Sequence, residues 1–129
     1  HAGFSQAQPW LPVPQEHLPK AVDLQAAQAD SVLQYVRHIL RWRKQHPALL
    51  HGEISFLDTN QAVLAIRRQL GEQQLLAVFN LSAETQQWCA AELQGALSLP
   101  DFGLPHEWDG QTLSLPAYGG WFASLSRRA

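Results

Sequence analysis

At Gly52 the apolar residues of this chain change their spacing, from every third or fourth position to every second one. A helix repeats each 3.6 residues and a strand alternates faces residue by residue, so one segment cannot serve both patterns. The chain must therefore be a helical part followed by a sheet part.

Before the switch, Val32, Leu33, Val36, Ile39 and Leu40 recur at helical spacing, with Tyr35 and Trp42 widening the stripe. The pattern predicts a helix over 30–46. Asp30 or Ser31 supplies the N-cap, and Arg37, Arg41, Arg43 and Lys44 suit the negative end of the helix dipole. Pro47 stops the helix at or near His46. A helix this apolar needs a large surface to pack on.

Ahead of it, residues 1–29 hold Pro9, Pro12, Pro14 and Pro19, half of the eight prolines in the chain. Proline fixes φ and removes a donor, so 9–14 should be extended, with Trp10, Leu11 and Val13 anchoring an arm on some other surface. After the switch, alternation predicts strands at 53–58, 61–69, 74–80, 84–89, 95–99, 112–115 and 121–125. Leu70-Gly71-Glu72-Gln73 reads as a hairpin. Turns are expected at Asp58-Thr59-Asn60, Trp108-Asp109-Gly110 and Tyr118-Gly119-Gly120. The expected fold is mainly β with one major N-terminal helix: an arm and helix over 1–50, then an antiparallel β-sandwich over 51–129.

The 129 residues have room for one hydrophobic core. A net charge of -2 gives no field for nucleic acid. The apolar stretches are too short to span a bilayer as a helix. Residues 1–10 do not read as a targeting peptide. The sequence contains no methionine, so translation is expected to begin upstream of His1. Cys89 is the single cysteine; the expectation is a small buried residue on a strand, in a reducing, cytoplasmic compartment.

Sites of chemistry are scarce. His38, His46 and His51 lack the i,i+4 spacing of a zinc-binding helix face, so neither metal nor cofactor is expected. Glu107 and Asp109 form the closest carboxylate pair, but Asp109-Gly110 is better explained as a turn. No Gly-x-Ser-x-Gly elbow or phosphate loop occurs. Trp88, Trp108 and Trp121 allow two readings. Indoles fill a sandwich core, or, exposed, they stack on sugar rings in a carbohydrate-binding module. From its residues the chain is a non-catalytic β-sandwich with a helix and an arm.

Several stretches carry a family resemblance. They are Gly3-Phe4-Ser5, Pro9-Trp10-Leu11-Pro12-Val13, Val22-Asp23, Gln28-Ala29-Asp30-Ser31 and the run from Tyr35 to Lys44 with His46-Pro47-Ala48-Leu49. Val78-Phe79-Asn80-Leu81-Ser82 and Leu115-Pro116-Ala117-Tyr118-Gly119-Gly120 add to them. Together they resemble the C-terminal third of α-glucosidases of the oligo-1,6-glucosidase type, in glycoside hydrolase family 13 (the α-amylase superfamily).

The resemblance implies that the helix is the last of a (β/α)8 barrel, that the arm is the loop entering it beside the active-site rim, and that the sandwich is domain C. It implies a retaining hydrolysis of short α-glucosides by an aspartate nucleophile, a glutamate acid/base and a stabilising aspartate. Such carboxylates lie about 5 Å apart at the barrel's C-terminal face, which would be upstream of His1. Asp23, Asp30, Asp58, Asp101 and Asp109 match none of those motifs, so no catalytic residue is expected here. Phe4 and Trp10 would lie on a loop near the substrate rim. The implied partner is the catalytic barrel of the same polypeptide, reaching an α-glucoside through that barrel. The isolated chain would self-associate through the Val32–Leu40 stripe.

Overall fold

The computed structural model describes residues 6–125. The chain divides into two compact units, His1–Gln45 and His46–Ala129.

In the first unit, residues 9–14 form neither helix nor strand, as their prolines require. The expected arm is not extended throughout. A 3-10 turn spans Gln15–Lys20, and helix α1 spans Val22–Ala27. Each is six residues long, under two α-helical turns, which is too short for apolar periodicity to reveal. Helix α2 covers Val32–Lys44 with Ser31 as its N-cap, whose Oγ accepts from Gln34 N at 3.3 Å.

Side-chain amides clasp α1 to α2. Gln25 Oε1 accepts from Leu33 N at 3.0 Å, Ser31 Oγ donates to Gln25 O at 2.6 Å, and Gln34 Nε2 donates to Ala26 O at 2.7 Å. These bonds satisfy backbone groups that helix ends otherwise leave orphaned. Yet α2 contains no buried residue. Val32 is 72% exposed, and Val36 and Leu40 on the same stripe are exposed too.

The second unit begins with helix α3, Pro47–His51. Pro47 sits at the N-terminal end of α3, where the missing N–H costs nothing and the fixed φ suits the first turn. The proline that closes α2 therefore also opens α3. Ala48 is fully buried, and its N donates to Gln73 Oε1 at 2.8 Å, seating α3 against the sheet.

Among the described residues eight strands follow: β1 Glu53–Phe56, β2 Val63–Leu70, β3 Gln73–Asn80, β4 Gln86–Trp88, β5 Leu97–Ser98, β6 Glu107–Trp108, β7 Leu113–Leu115 and β8 Gly120–Leu125. They pair antiparallel in two sheets, ordered β1-β2-β3-β8-β5 and β4-β7-β6. The β2–β3 hairpin closes over Gly71-Glu72, and Gly71 takes φ 57°, a conformation that favours glycine. Strand β6 falls partly on the expected turn at Trp108-Asp109-Gly110. Two residues are too few to show alternation; their pairing with Leu113 and Ser114 defines them.

Alternation brings Val63, Ala65, Leu76, Val78, Trp121 and Ala123 to one face of the larger sheet, where all are buried. Register sets Val78 opposite Trp121 and Leu76 opposite Ala123. Leu113 and Leu115 of β7 join the same core with Trp88 and Leu93. Cys89 corrects its expectation: it is exposed, one residue past the end of β4. Successive side chains of an extended chain face opposite ways, and Trp88 takes the inward position.

Asn80 is the polar exception, only 2% exposed. Its Nδ2 donates to Glu84 O at 2.7 Å, Leu115 O at 3.0 Å and Pro116 O at 2.9 Å. Its Oδ1 accepts from Ser82 N at 2.9 Å and Ser82 Oγ at 2.8 Å. This side chain ties the end of β3 in one sheet to the end of β7 in the other. Replacing Asn80 by Ala strands these partners, so denaturant unfolding should show a loss of about 2–4 kcal/mol. A change below about 0.5 kcal/mol, the ordinary effect of a surface substitution, would contradict the role given to Asn80.

Candidate functional site

Carboxylates come first, because glycoside hydrolysis needs two of them across the scissile bond. Asp23 Oδ1 accepts from Leu24 N at 3.0 Å, and Asp101 Oδ1 accepts from Gly103 N at 2.7 Å. Asp109 Oδ1 accepts from Gln111 N at 2.7 Å and from Thr112 N at 2.6 Å. Each of these aspartates is thus engaged by nearby backbone, the local bonding that favours Asp in turns.

Asp109 shows the electrostatic consequence. The Thr112 N–H, then the Gln111 N–H, hold its carboxyl below the ordinary aspartate value, and partial desolvation opposes them only in part. Such a group stays ionised and in place. It anchors the β6–β7 turn, in line with the turn expected at Asp109-Gly110.

Glu107 and Asp109 do line a common hollow of about 240 Å³, with Gln87, Trp108, Thr112 and Ser114. Register sets Gln87, Ser114 and Glu107 in one rung across the smaller sheet. These are polar side chains on its outer face, and Glu107 is exposed. The hollow offers hydrogen bonds, but its aspartate is committed to a turn rather than aimed as a nucleophile.

The histidines do not assemble. Among the described residues no group of three or more His, Cys, Asp or Glu is placed to hold a metal ion. No helix among them is long and apolar enough to cross a membrane.

The tryptophans settle mainly into the core. Trp121 is fully buried, with Nε1 donating to Ser98 Oγ at 2.9 Å, and Trp88 is buried with it. Trp108 lies half-buried, its ring 4.9 Å from that of Trp121. Exposed indole platforms for sugar stacking are therefore not what these three form. Trp10 is different: it is 90% exposed on the proline-rich segment. Phe4, its companion in the expected rim loop, lies outside the described residues.

No family model matches the chain. A probable α-glucosidase of Rhizobium meliloti (strain 1021) is 38% identical over 126 residues, covering 96% of this chain and 22% of that protein. The oligo-1,6-glucosidase of Parageobacillus thermoglucosidasius is 32% identical over 88 residues, covering 66% of this chain and 15% of its own. Among solved structures, the α-glucosyl transfer enzyme XgtA matches with a TM-score of 0.82 at 36% identity, over 98% of this chain and 23% of its own. The chain belongs to glycoside hydrolase family 13.

It spans about a fifth of the length of the curated relatives it matches. What it contributes to a family 13 enzyme is the C-terminal antiparallel sandwich with its leading helix. The match extends across Trp10, α2 and the strands alike, so the arm and helix are family features and not an appendage.

The depressed titration of Asp109 has a defined pH signature. Because its folded value lies below the unfolded one, its stabilising effect is complete above about pH 4, the unfolded aspartate range. That effect fades as pH falls through the lower folded value. Carboxyl NMR titration should give Asp109 a midpoint below the ordinary aspartate value. A midpoint at or above it would contradict the turn geometry.

Proposed function

We propose that this chain is the non-catalytic C-terminal portion of a retaining α-glucosidase acting on short α-glucosides, and that its role is to complete and cover the catalytic barrel. The observation that carries this reading is α2. It is a 13-residue helix with an apolar stripe and no buried residue, in a chain whose matched relatives extend far beyond it. Helices in proteins owe their stability chiefly to packing of the apolar face. Such a stripe left in water marks a surface made for a neighbour.

In this reading residues 1–50 belong to the barrel side, as its last loop and helix, and residues 51–129 are the sandwich. Trp10 and Phe4 are assigned to the substrate rim, and the 90% exposure of Trp10 supports its share of that placement. The reaction itself belongs to the barrel: carboxylates about 5–5.5 Å apart would form and then hydrolyse a covalent glucosyl intermediate. Relatives bear names for glucosidase and for α-glucosyl transfer activity, and hydrolysis is the assignment we favour. The reading also places the enzyme in a reducing, cytoplasmic compartment, supported by the exposed thiol of Cys89 with no second cysteine in the sequence.

Three measurements test it. The purified chain should not hydrolyse a chromogenic α-glucoside, and turnover above background would sink the proposal. It should also associate with itself in sedimentation, through the Val32–Leu40 stripe; a strictly monomeric chain would argue against an unmet surface. Titration with isomalto- and malto-oligosaccharides should leave tryptophan fluorescence unchanged. Quenching by millimolar sugar would favour a binding module instead.

A further inference from the structure

Asp109-Gly110 is the sole Asp-Gly pair in the sequence, and no Asn-Gly pair accompanies it. An aspartate followed by glycine is chemically labile, because no Cβ shields the glycine N from the aspartate side chain. Gly110 N attacks Asp109 Cγ, an N–Cγ bond forms, and the carboxyl hydroxyl leaves as water with the amide proton. Water then opens the cyclic imide at either carbonyl. One opening restores aspartate; the other leaves isoaspartate, whose backbone runs through Cβ and Cγ. The conversion needs only water.

The sequence offers this chemistry, and the fold opposes it in two ways. The first is positional. Asp109 Oδ1 accepts from Gln111 N at 2.7 Å and from Thr112 N at 2.6 Å, so Cγ cannot swing onto Gly110 N without giving up both bonds. Gly110 itself is fixed in the turn at φ 95°. The second is chemical. Water leaves from a neutral carboxyl, and the Thr112 and Gln111 N–H groups favour the carboxylate. Crowding is not the obstacle, since nothing lies within 4 Å of where a Gly110 Cβ would stand.

The same turn is where conversion would matter. Asp109 N donates to Thr112 O at 3.4 Å, closing the connection between β6 and β7. Register there sets Trp108 opposite Leu113 and Glu107 opposite Ser114. Isoaspartate adds one atom to the backbone of this connection and displaces that register. The Trp108 ring lies 4.9 Å from the ring of buried Trp121, so the displacement reaches the core. Strand β6 is only two residues long, with Glu107 exposed, and segments with so few buried contacts open locally ahead of the whole fold.

We propose that Asp109-Gly110 is a gated modification site. Conversion to isoaspartate is shut off while the Gln111 and Thr112 N–H bonds hold, and it proceeds when the β6–β7 hairpin opens. Isoaspartate at position 109 then records how often the smaller sheet has come apart.

The test incubates the 129-residue chain at mildly acidic pH, folded in buffer and unfolded in urea, beside a synthetic peptide of residues 106–113 in both solutions. Isoaspartate at 109 is counted by peptide mapping against synthetic standards. The unfolded chain should convert at the rate of the peptide. The folded chain should convert more than about tenfold more slowly, the factor that one charge-assisted hydrogen bond supplies. Thr112→Pro removes one of the two N–H donors and should raise the folded rate by about tenfold. Thr112→Ala keeps that N–H and should leave the rate unchanged.

Circular dichroism shows whether Thr112→Pro stays folded; if it does not, the unsubstituted chain against the peptide decides alone. A folded chain that converts as fast as the peptide overturns the gate. One that converts faster overturns it too, because the N–H groups would then be drawing the carboxyl onto Gly110 N. A folded Thr112→Pro chain no faster than Thr112→Ala would show that the two bonds are not what holds the site closed.

Discussion

Asn80 holds the sandwich together at the point where its sheets would otherwise part. A buried amide is tolerated only when its donors and acceptors are met, and here they are met from β7 of the other sheet and from the two loops that join the sheets. The bonds to Leu115 and Pro116 bring β7 to the end of β3, and the bonds with Ser82 shape the exit toward β4. The backbone adds to the clasp, with Asn80 N donating to Gly119 O and Tyr118 N to Ser82 O. Tyr118 accepts φ 56° in the process, an uncommon conformation for a bulky residue. With that corner fixed, Trp121 and Val78 lie side by side on β8 and β3 in one register only, because a slip of one residue would turn the whole apolar set outward.

The strands were legible where alternation ran for several residues. The expected stretches at 61–69 and 74–80 contain most of β2 and β3, and the Gly71 hairpin was readable from its turn residues. Helix α2 was legible from its stripe and from Ser31. Other short pieces were not: β6, α1 and the 3-10 turn at Gln15–Lys20 depend on pairing or local bonds rather than on periodicity. Cys89 shows a different limit. Its residue type favours burial, but a shift of one position along the pleat decides the matter, and Trp88 occupies the inward slot.

The candidate site residues were legible chiefly as turn and core positions. Asp109 was read as a turn residue and is one in the fold, and Asp101 is held in the same way, because a carboxylate beside backbone N–H groups is fixed where it is. The three sandwich tryptophans divided too: Trp88 and Trp121 went to the core, and Trp108 kept a partly open ring. The Asn80 clasp could not have been read from local sequence at all, because its partners at Leu115 and Pro116 lie 35 and 36 residues away.

What remains after the turns and core are accounted for is apolar surface without an owner: Val32, Val36 and Leu40 on α2, and Ile54 and Phe56 on β1. Under the proposed function that surface is the side that meets the catalytic barrel. The most direct test is to determine the coding sequence upstream of His1. The account predicts several hundred residues of alternating strand and helix patterns, with three separated acidic motifs at strand ends. A start codon or a secretory signal immediately before His1 would contradict it.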